Sequence, residues 1–213
     1  MNREICESIK KNCRKASPPL KITYKDMPKD GTRQQLARDQ GYLCAYCMRR
    51  ISLDPADQLN YLNIEHLDPQ NQLPDEATTD FSNLLGVCPG NRSSTENAKK
   101  TCDAYRGILE EDQQTMRLNP LDEAQMDTIF YQRNGEIGST DTELNKELSD
   151  KLNLNSEAAY LPQNRETAYS QLVRFLKAKK PIGEWSKPIS SAGMAVVCTP
   201  DKTGGLSGIC WGL

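Results

Sequence analysis

Cys44-Ala45-Tyr46-Cys47 is the segment on which the architecture depends, because its two thiols are spaced to bind one metal ion. A C-x2-C spacing lets two thiolates of one turn reach the same tetrahedral Zn2+. Cys88 and Cys102 follow further along the chain, and four thiolates would close a structural zinc site with no open position. We therefore predict a zinc site formed by Cys44, Cys47, Cys88 and Cys102. A redox pair is the alternative, but no thioredoxin-like βαβ pattern surrounds this C-x2-C.

The single histidine of the chain, His66, lies between the two halves of this cysteine set. Its segment reads Leu62-Asn63-Ile64-Glu65-His66-Leu67-Asp68-Pro69-Gln70, so the carboxylate of Glu65 immediately precedes the imidazole. An alternation of apolar residues that begins at Leu59 predicts a strand leading to the histidine. A lone histidine more often has no chemical role, but this neighbourhood favours one.

Taken in order, these segments resemble the HNH endonucleases, whose ββα-metal core is held by zinc. The resemblance covers about residues 33–110. It is carried by Cys44-x2-Cys47, Glu65-His66-x2-Pro69, Asn83-Leu84-Leu85, Cys88 and Cys102-Asp103-x2-Arg106-Gly107. The segment 41–47, the wide spacing from Cys88 to Cys102 and Leu118-Asn119-Pro120 further resemble the HNH proteins called PtuB, which act with an ABC-type ATPase in Septu and retron-associated antiphage defence.

The resemblance implies a catalytic role for four residues. His66, on the second strand of the motif, would be the general base, since its ordinary pKa is close to working pH. Glu65 and Asp103 would bind a catalytic Mg2+ or Mn2+, which prefer oxygen ligands. Asn83 would hold the loop that orients the histidine.

Three basic residues are candidates for nucleic-acid binding: Arg106, where the family usually has Lys, and Lys99 and Lys100. Each role has an alternative that needs no function. Asn83 could cap a helix, Glu65 could be an exposed acid, and Arg106 before Gly107 could simply end a helix.

The sequence departs from the family pattern in three places. Glu65 stands where Asp is more usual, and Asp103 where Asn or His is more usual. Thirteen residues, rather than two, separate Cys88 from Cys102. The first two changes keep oxygen ligands, so they bear on metal preference more than on activity.

We expect an α+β fold with three regions: a basic arm over residues 1–30, an HNH core over 31–113 and a mainly helical region with a β-hairpin over 114–213. In the core, the pattern predicts a helix over Arg33–Gln40 capped by Thr32, strands over Arg50–Leu53 and Leu59–Glu65, and a helix over Thr101–Gln113.

Beyond residue 114, Asn134-Gly135 between Ile129–Arg133 and Glu136-Ile137 predicts a hairpin with a type I′ turn. Leu144, Leu148 and Leu152 predict an amphipathic helix capped by Asp141. A second helix is predicted over Glu157–Lys180, with Leu172, Phe175 and Leu176 on one face. A Gly- and Ser-rich tail with Trp185 and Trp211 follows, and Cys6, Cys13, Cys198 and Cys210 receive no assigned role.

Composition limits the classes of function. The chain has 213 residues, of which 37% are hydrophobic, and its net charge is −2 with a mean hydropathy of −0.71. No run of 18 apolar residues and no apolar signal segment is visible, so we expect a cytoplasmic protein without a membrane span. Residues 1–50 hold twelve Lys and Arg against five Asp and Glu, which favours local attraction to phosphates.

The sequence therefore predicts a metal-dependent HNH endonuclease with structural Zn2+, acting on DNA or a structured RNA such as tRNA. The resemblance implies an ABC-type ATPase partner like PtuA, with a retron reverse transcriptase and its RNA–DNA hybrid in some systems. The competing hypothesis is a catalytically inactive zinc-bound module that binds nucleic acid or the ATPase. A transcription zinc ribbon is a weaker third, since it has no place for Glu65-His66-x2-Pro69.

Overall fold

A computed structural model describes residues 23–179, which form an α+β fold of helices and two small antiparallel sheets. The helices are α1 (Lys29–Asp39), α2 (Cys102–Arg106), α3 (Glu123–Met126), α4 (Thr142–Asp150) and α5 (Leu161–Lys179). The strands are β1 (Asn63–His66), β2 (Leu84–Val87), β3 (Ile129–Tyr131) and β4 (Ile137–Ser139). Single 3-10 turns lie at Tyr24–Asp26, Gln70–Gln72, Ala77–Thr79, Phe81–Asn83, Asn97–Lys99 and Glu111–Gln113. Most of the expected basic arm, the tail, Trp185, Trp211, Cys6, Cys13, Cys198 and Cys210 lie outside the described residues.

The first sheet pairs β1 with β2, which brings Glu65 opposite Leu85 and His66 opposite Leu84. All four residues of β2 are buried, so this strand has no polar alternation by which the sequence could reveal it. The strand predicted over Arg50–Leu53 is wrong, since only isolated bridges form there, at Arg50 with Leu43 and at Ser52 with Tyr61. His66 consequently ends the first strand of this sheet rather than the second.

The helices that flank the sheet differ in length from the prediction. α1 begins at Lys29, earlier than Arg33, and Thr32 lies inside it with its hydroxyl donating to the Pro28 carbonyl. α2 ends at Arg106 because Gly107 caps it, so the helix predicted to reach Gln113 is a short helix followed by turns. α2 still carries Asp103 and Arg106 toward β1.

The predicted hairpin is confirmed, but its turn is of a different type. β3 and β4 pair with Ile129 opposite Ser139. The Gly135 N–H donates to the Gln132 carbonyl over 3.0 Å, and Gly135 has a φ of 82° while Asn134 does not enter the left-handed region. This is a type I turn closed by a glycine bulge, the usual three-residue hairpin connection.

Both predicted C-terminal helices are present, although α4 ends at Asp150, so that Leu152 of the predicted leucine repeat lies beyond it. Asp141 caps α4 by accepting from the N–H groups of Glu143 and Leu144, and Leu144 and Leu148 are fully buried. α5 starts at Leu161, four residues later than predicted, and buries Leu176.

One buried core runs through residues before and after position 114. It contains Leu62, Leu84 and Leu85 from the first sheet and Ile137, Leu144 and Leu148 from the later elements. The boundary expected between 113 and 114 stays a prediction. Within residues 23–179, none of the helices combines the length and the apolar character needed to cross a membrane.

We predict that Gly135→Ala lowers the free energy of unfolding by on the order of 3 kcal/mol. A Cβ at Gly135 would lie 1.9 Å from the Pro162 carbonyl oxygen at the start of α5, and its φ of 82° disfavours any side chain. Urea denaturation measures the loss. Gly31→Ala, in the first turn of α1, is the control and should raise stability by up to about 1 kcal/mol. Equal stability of Gly135→Ala and wild type would contradict the packing of the hairpin on α5.

Candidate active site

Four buried cysteines lie close together in the described part of the chain. The Sγ atoms of Cys47 and Cys88 lie 3.7 Å apart, those of Cys88 and Cys102 3.8 Å, and those of Cys44 and Cys102 4.0 Å. Zn–S bonds of about 2.3 Å in a tetrahedron place the sulfurs about 3.8 Å apart, whereas a disulfide needs about 2.05 Å. The four thiols are free and all lie within 4.8 Å of one another, so they could hold a zinc ion, as the sequence predicted.

Backbone contacts bring together the two ends of the segment between Cys88 and Cys102. The Thr101 N–H donates to the Gly90 carbonyl over 3.0 Å, and the Asn91 side chain donates to the Lys99 carbonyl over 2.7 Å. Gly90 has a φ of 57°, and a Cβ there would lie 2.1 Å from the Thr101 oxygen. These contacts bring the ends of the segment together, so that thirteen intervening residues do not separate the two thiols.

Cys102 has an uncommon backbone conformation, and a residue later in the chain, just after α4, binds its N–H. Its φ is 56°, a left-handed value that non-glycine residues rarely adopt. The Cys102 N–H donates to the Leu152 carbonyl over 2.8 Å, just beyond α4. This bond and the cluster together fix the start of α2, and therefore the position of Asp103.

A cleft of about 570 Å³ lies beside the cluster and collects the predicted catalytic residues. Its lining includes Glu65, His66, Asp103, Arg106, Arg92 and Tyr24. Glu65 and His66 come from the end of β1, and Asp103 directly follows the cluster residue Cys102. The fold thus brings the histidine and both predicted cation ligands to one cavity.

His66 is oriented by a backbone carbonyl. The residue is only 7% exposed, and the Nε2 of its ring lies 2.8 Å from the Thr78 oxygen. Because a carbonyl only accepts, Nε2 carries the hydrogen, and Nδ1 keeps a free lone pair in the neutral ring. Burial lowers the pKa of His66, which favours this neutral form. Tyr24 packs edge-on against the imidazole, with centroids 4.7 Å apart, and its N–H donates to the Thr78 hydroxyl.

Glu65 and Asp103 form a like-charged pair at the cleft. Burial raises the pKa of Glu65 to about 9, and the negative charge of Asp103 and a hydrogen bond with it add to the rise. Two adjacent carboxylates are stable together when a proton or a cation lies between them. Their oxygens are the ligand type that hard divalent cations prefer.

Arg106 fixes the relative position of β1 and α2. Its Nη1 donates to Glu65 Oε1 over 2.8 Å and to the His66 carbonyl over 3.0 Å. Its Nη2 donates to the Leu67 carbonyl and its Nε to the Gln114 carbonyl, both over 2.7 Å. The side chain is 4% exposed, so these partners occupy most of its donors. The phosphate contact predicted for Arg106 stays a prediction; in the structure its donors bind Glu65 and backbone carbonyls.

Asn83 closes the loop that follows His66. Its Oδ1 accepts from the Asp68 N–H over 2.8 Å, and its carbonyl accepts from the Leu67 N–H over 3.0 Å. Asn83 ends a 3-10 turn whose cap is Asp80, so it is not a helix N-cap.

Lys99 and Lys100 lie apart from this arrangement. They do not line the cleft; Lys99 pairs with Glu96 and Lys100 donates to Asn97. Their contact with nucleic acid stays a prediction.

Sequence reasoning missed Arg92, Tyr24 and Thr78. Arg92 pairs with Asp103 at the cleft, and it stands in the segment between Cys88 and Cys102, which had no pattern of its own. Tyr24 and Thr78 act on His66 through contacts between residues distant in sequence, for which no sequence signal exists.

A known protein is similar to part of this chain. A retron Ec83 putative HNH endonuclease of Escherichia coli is 33% identical to this chain over 86 residues. The match covers 37% of this chain and 32% of that protein. The similarity supports an HNH-family relationship. No family model matches the chain.

We predict that Cys102→Ser removes bound zinc and destabilises the fold by on the order of 4 kcal/mol or more, because it takes one ligand from a buried structural site. Metal analysis of the purified protein and thermal unfolding measure the two effects. Cys13→Ser is the control and should leave zinc content unchanged, since four ligands already complete the tetrahedron. Full zinc content in Cys102→Ser would disprove the ligand set.

We predict that Arg106→Gln lowers the free energy of unfolding by about 3–5 kcal/mol, because it strands Glu65 and several buried carbonyls. Arg117→Gln is the matched control: Arg117 pairs with Asp141 but is 60% exposed, so its loss should cost less than about 1 kcal/mol. Chemical denaturation compares the two. Similar small losses for both variants would show that the Arg106 contacts do not hold β1 to α2.

Proposed function

We propose that this chain is a metal-dependent HNH endonuclease that hydrolyses phosphodiester bonds of nucleic acids. The observation that carries the proposal is the meeting of His66, Glu65 and Asp103 at one cleft, beside a four-cysteine cluster fit for zinc. In this proposal β1, β2 and α2 are the ββα-metal core. The similarity to an HNH protein of Escherichia coli adds support from sequence.

His66 is the general base. Its Nε2 is committed to the Thr78 carbonyl, so Nδ1 takes the proton of the attacking water. The buried ring is neutral near pH 7, which keeps the lone pair available. Asn83 holds the loop after the histidine, and Arg106 holds the His66 carbonyl and the Glu65 carboxylate in register.

Glu65 and Asp103 are the ligands of a catalytic divalent cation, Mg2+ or Mn2+. When bound, such a cation stabilises the negative charge that develops on the phosphate and on the leaving oxygen. Arg106 limits the movement of Glu65, so the two carboxylates present a fixed pair of oxygens. The tetrathiolate cluster holds zinc and fixes Asp103 through its neighbour Cys102.

We further propose that the nuclease acts as the effector of an antiphage defence complex. Two things support this: the sequence resemblance to PtuB of Septu and retron-associated systems, and the name of the related Escherichia coli protein, which places that protein in a retron. The proposed partner is a PtuA-like ABC-type ATPase, with a retron reverse transcriptase and its RNA–DNA hybrid as a further component. The substrate is DNA or tRNA.

We predict that His66→Ala reduces cleavage by about 10²–10⁴-fold, because the general base is lost. Cleavage of duplex DNA and total tRNA is measured with added Mg2+ or Mn2+, with the protein alone and with the proposed PtuA-like ABC-type ATPase. Because His66 is buried, His66→Gln is tested in parallel; its amide can still donate to the Thr78 carbonyl but cannot take a proton.

Zinc content and thermal unfolding of both variants serve as controls and should match wild type closely for His66→Gln. If His66→Gln cleaves nucleic acid and protects against phage as well as wild type, the nuclease proposal is wrong. A wild-type protein that binds nucleic acid or the ATPase without cleavage would instead favour the inactive binding module.

A further inference from the structure

We propose that Arg92 binds the substrate phosphate at the cleft, exchanging its contact with Asp103 for the phosphate when a divalent cation takes that carboxylate. This inference rests on the proposed nuclease function and adds to it a substrate-binding residue. The ligand is a phosphodiester group of DNA or RNA, recognised by its charge and its paired oxygens.

The first argument is availability. Among the described residues that line the cleft, the guanidinium groups are those of Arg92 and Arg106. Arg106 is 4% exposed and bound to Glu65 and three backbone carbonyls. The side chain of Arg92 is 60% exposed, and it pairs with one oxygen of Asp103. Arg92 therefore keeps donors free toward the cavity.

The second argument is charge. With both carboxyl groups ionised, as cation binding requires, Glu65 and Asp103 carry two negative charges at the cleft, and Arg106 and Arg92 lie against them with two positive charges. A divalent cation on the carboxylates would neutralise them and leave both guanidinium groups in excess. A phosphodiester carries one negative charge and gains a second as water attacks, so an exposed guanidinium beside the cation is suited to that change.

The third argument is that the backbone of Arg92 is held by hydrogen bonds while its side chain is exposed. The Arg92 N–H donates to the Pro89 carbonyl over 3.0 Å, and the residues on either side of the segment are tied by the Thr101–Gly90 and Asn91–Lys99 bonds. Because the backbone is tied, only the side chain has to move from Asp103 to a phosphate. Arginine also offers paired donors that match two phosphate oxygens, which lysine does not.

The test compares Arg92→Gln and Arg92→Lys with Arg117→Gln. Arg117 is a matched control, because its side chain is also 60% exposed and its Nη2 also pairs with an aspartate Oδ2, at Asp141. Three quantities are compared. The first is cleavage, as kcat and KM, for a labelled duplex DNA and for total tRNA. The second is the salt dependence of binding of these nucleic acids in a His66→Gln background with Mn2+, and the third is Mn2+ affinity by calorimetry without nucleic acid.

We expect Arg92→Gln to weaken nucleic-acid binding by about tenfold and to reduce the slope of log affinity against log salt by about one. Its Mn2+ affinity should be equal to wild type or tighter, because the guanidinium no longer competes for Asp103. Arg92→Lys should restore the salt slope but only part of the affinity. Arg117→Gln should leave all three quantities unchanged.

Two results would overturn the inference while leaving the nuclease proposal intact. One is Arg92→Gln behaving like Arg117→Gln toward nucleic acid. The other is a loss of Mn2+ affinity as large as the loss of nucleic-acid affinity, which would mean that Arg92 only supports Asp103. If the wild-type protein neither binds nor cleaves either nucleic acid, both this inference and the proposed function fail.

Discussion

Four thiols from three separate segments converge at one place, and this convergence controls the positions of the elements around it. Cys44 and Cys47 come from a turn after α1, Cys88 from the end of β2 and Cys102 from the start of α2. None of these elements is long enough to be stable by itself. A metal bound by all four thiolates would supply the cross-link that a small core lacks. It would also fix the position of Asp103 through the neighbouring ligand Cys102, whatever Asp103 itself contacts.

A second constraint acts on the open side of the same elements. The buried guanidinium of Arg106 binds the Glu65 carboxylate and the carbonyls of His66 and Leu67. These hydrogen bonds hold α2 in a fixed position relative to the end of β1. A buried cation of this kind adds little net stability, but its directional donors permit one arrangement of strand and helix. The cluster thus sets the distance of α2 from the sheet, and Arg106 sets its register.

Parts of this arrangement could be predicted because they leave a local signal in the sequence. The cysteine spacing, the hairpin at Asn134-Gly135 and the leucine repeat capped by Asp141 are such signals; the cluster, the hairpin and the capped helix are present, with a different type of turn in the hairpin. β2 could not be found, because a strand buried on both faces shows no alternation. The burial of Arg106 and the contacts of Thr78 with His66 and of Arg92 with Asp103 could not be found either, since each joins residues that only tertiary packing brings together.

The closure of the Cys88–Cys102 segment has a consequence for how such a protein can vary. Gly90 and Thr101 meet across a backbone hydrogen bond, and Asn153 binds the carbonyls of Ala98 and Lys100. The largely exposed residues 93–97 therefore form a surface excursion whose length does not alter where the two thiols lie. Insertions or deletions in that excursion are tolerated by the core at little entropic cost. Residues 93–97 can therefore diverge in length and composition while the metal-binding frame and the tied backbone of Arg92 stay constant.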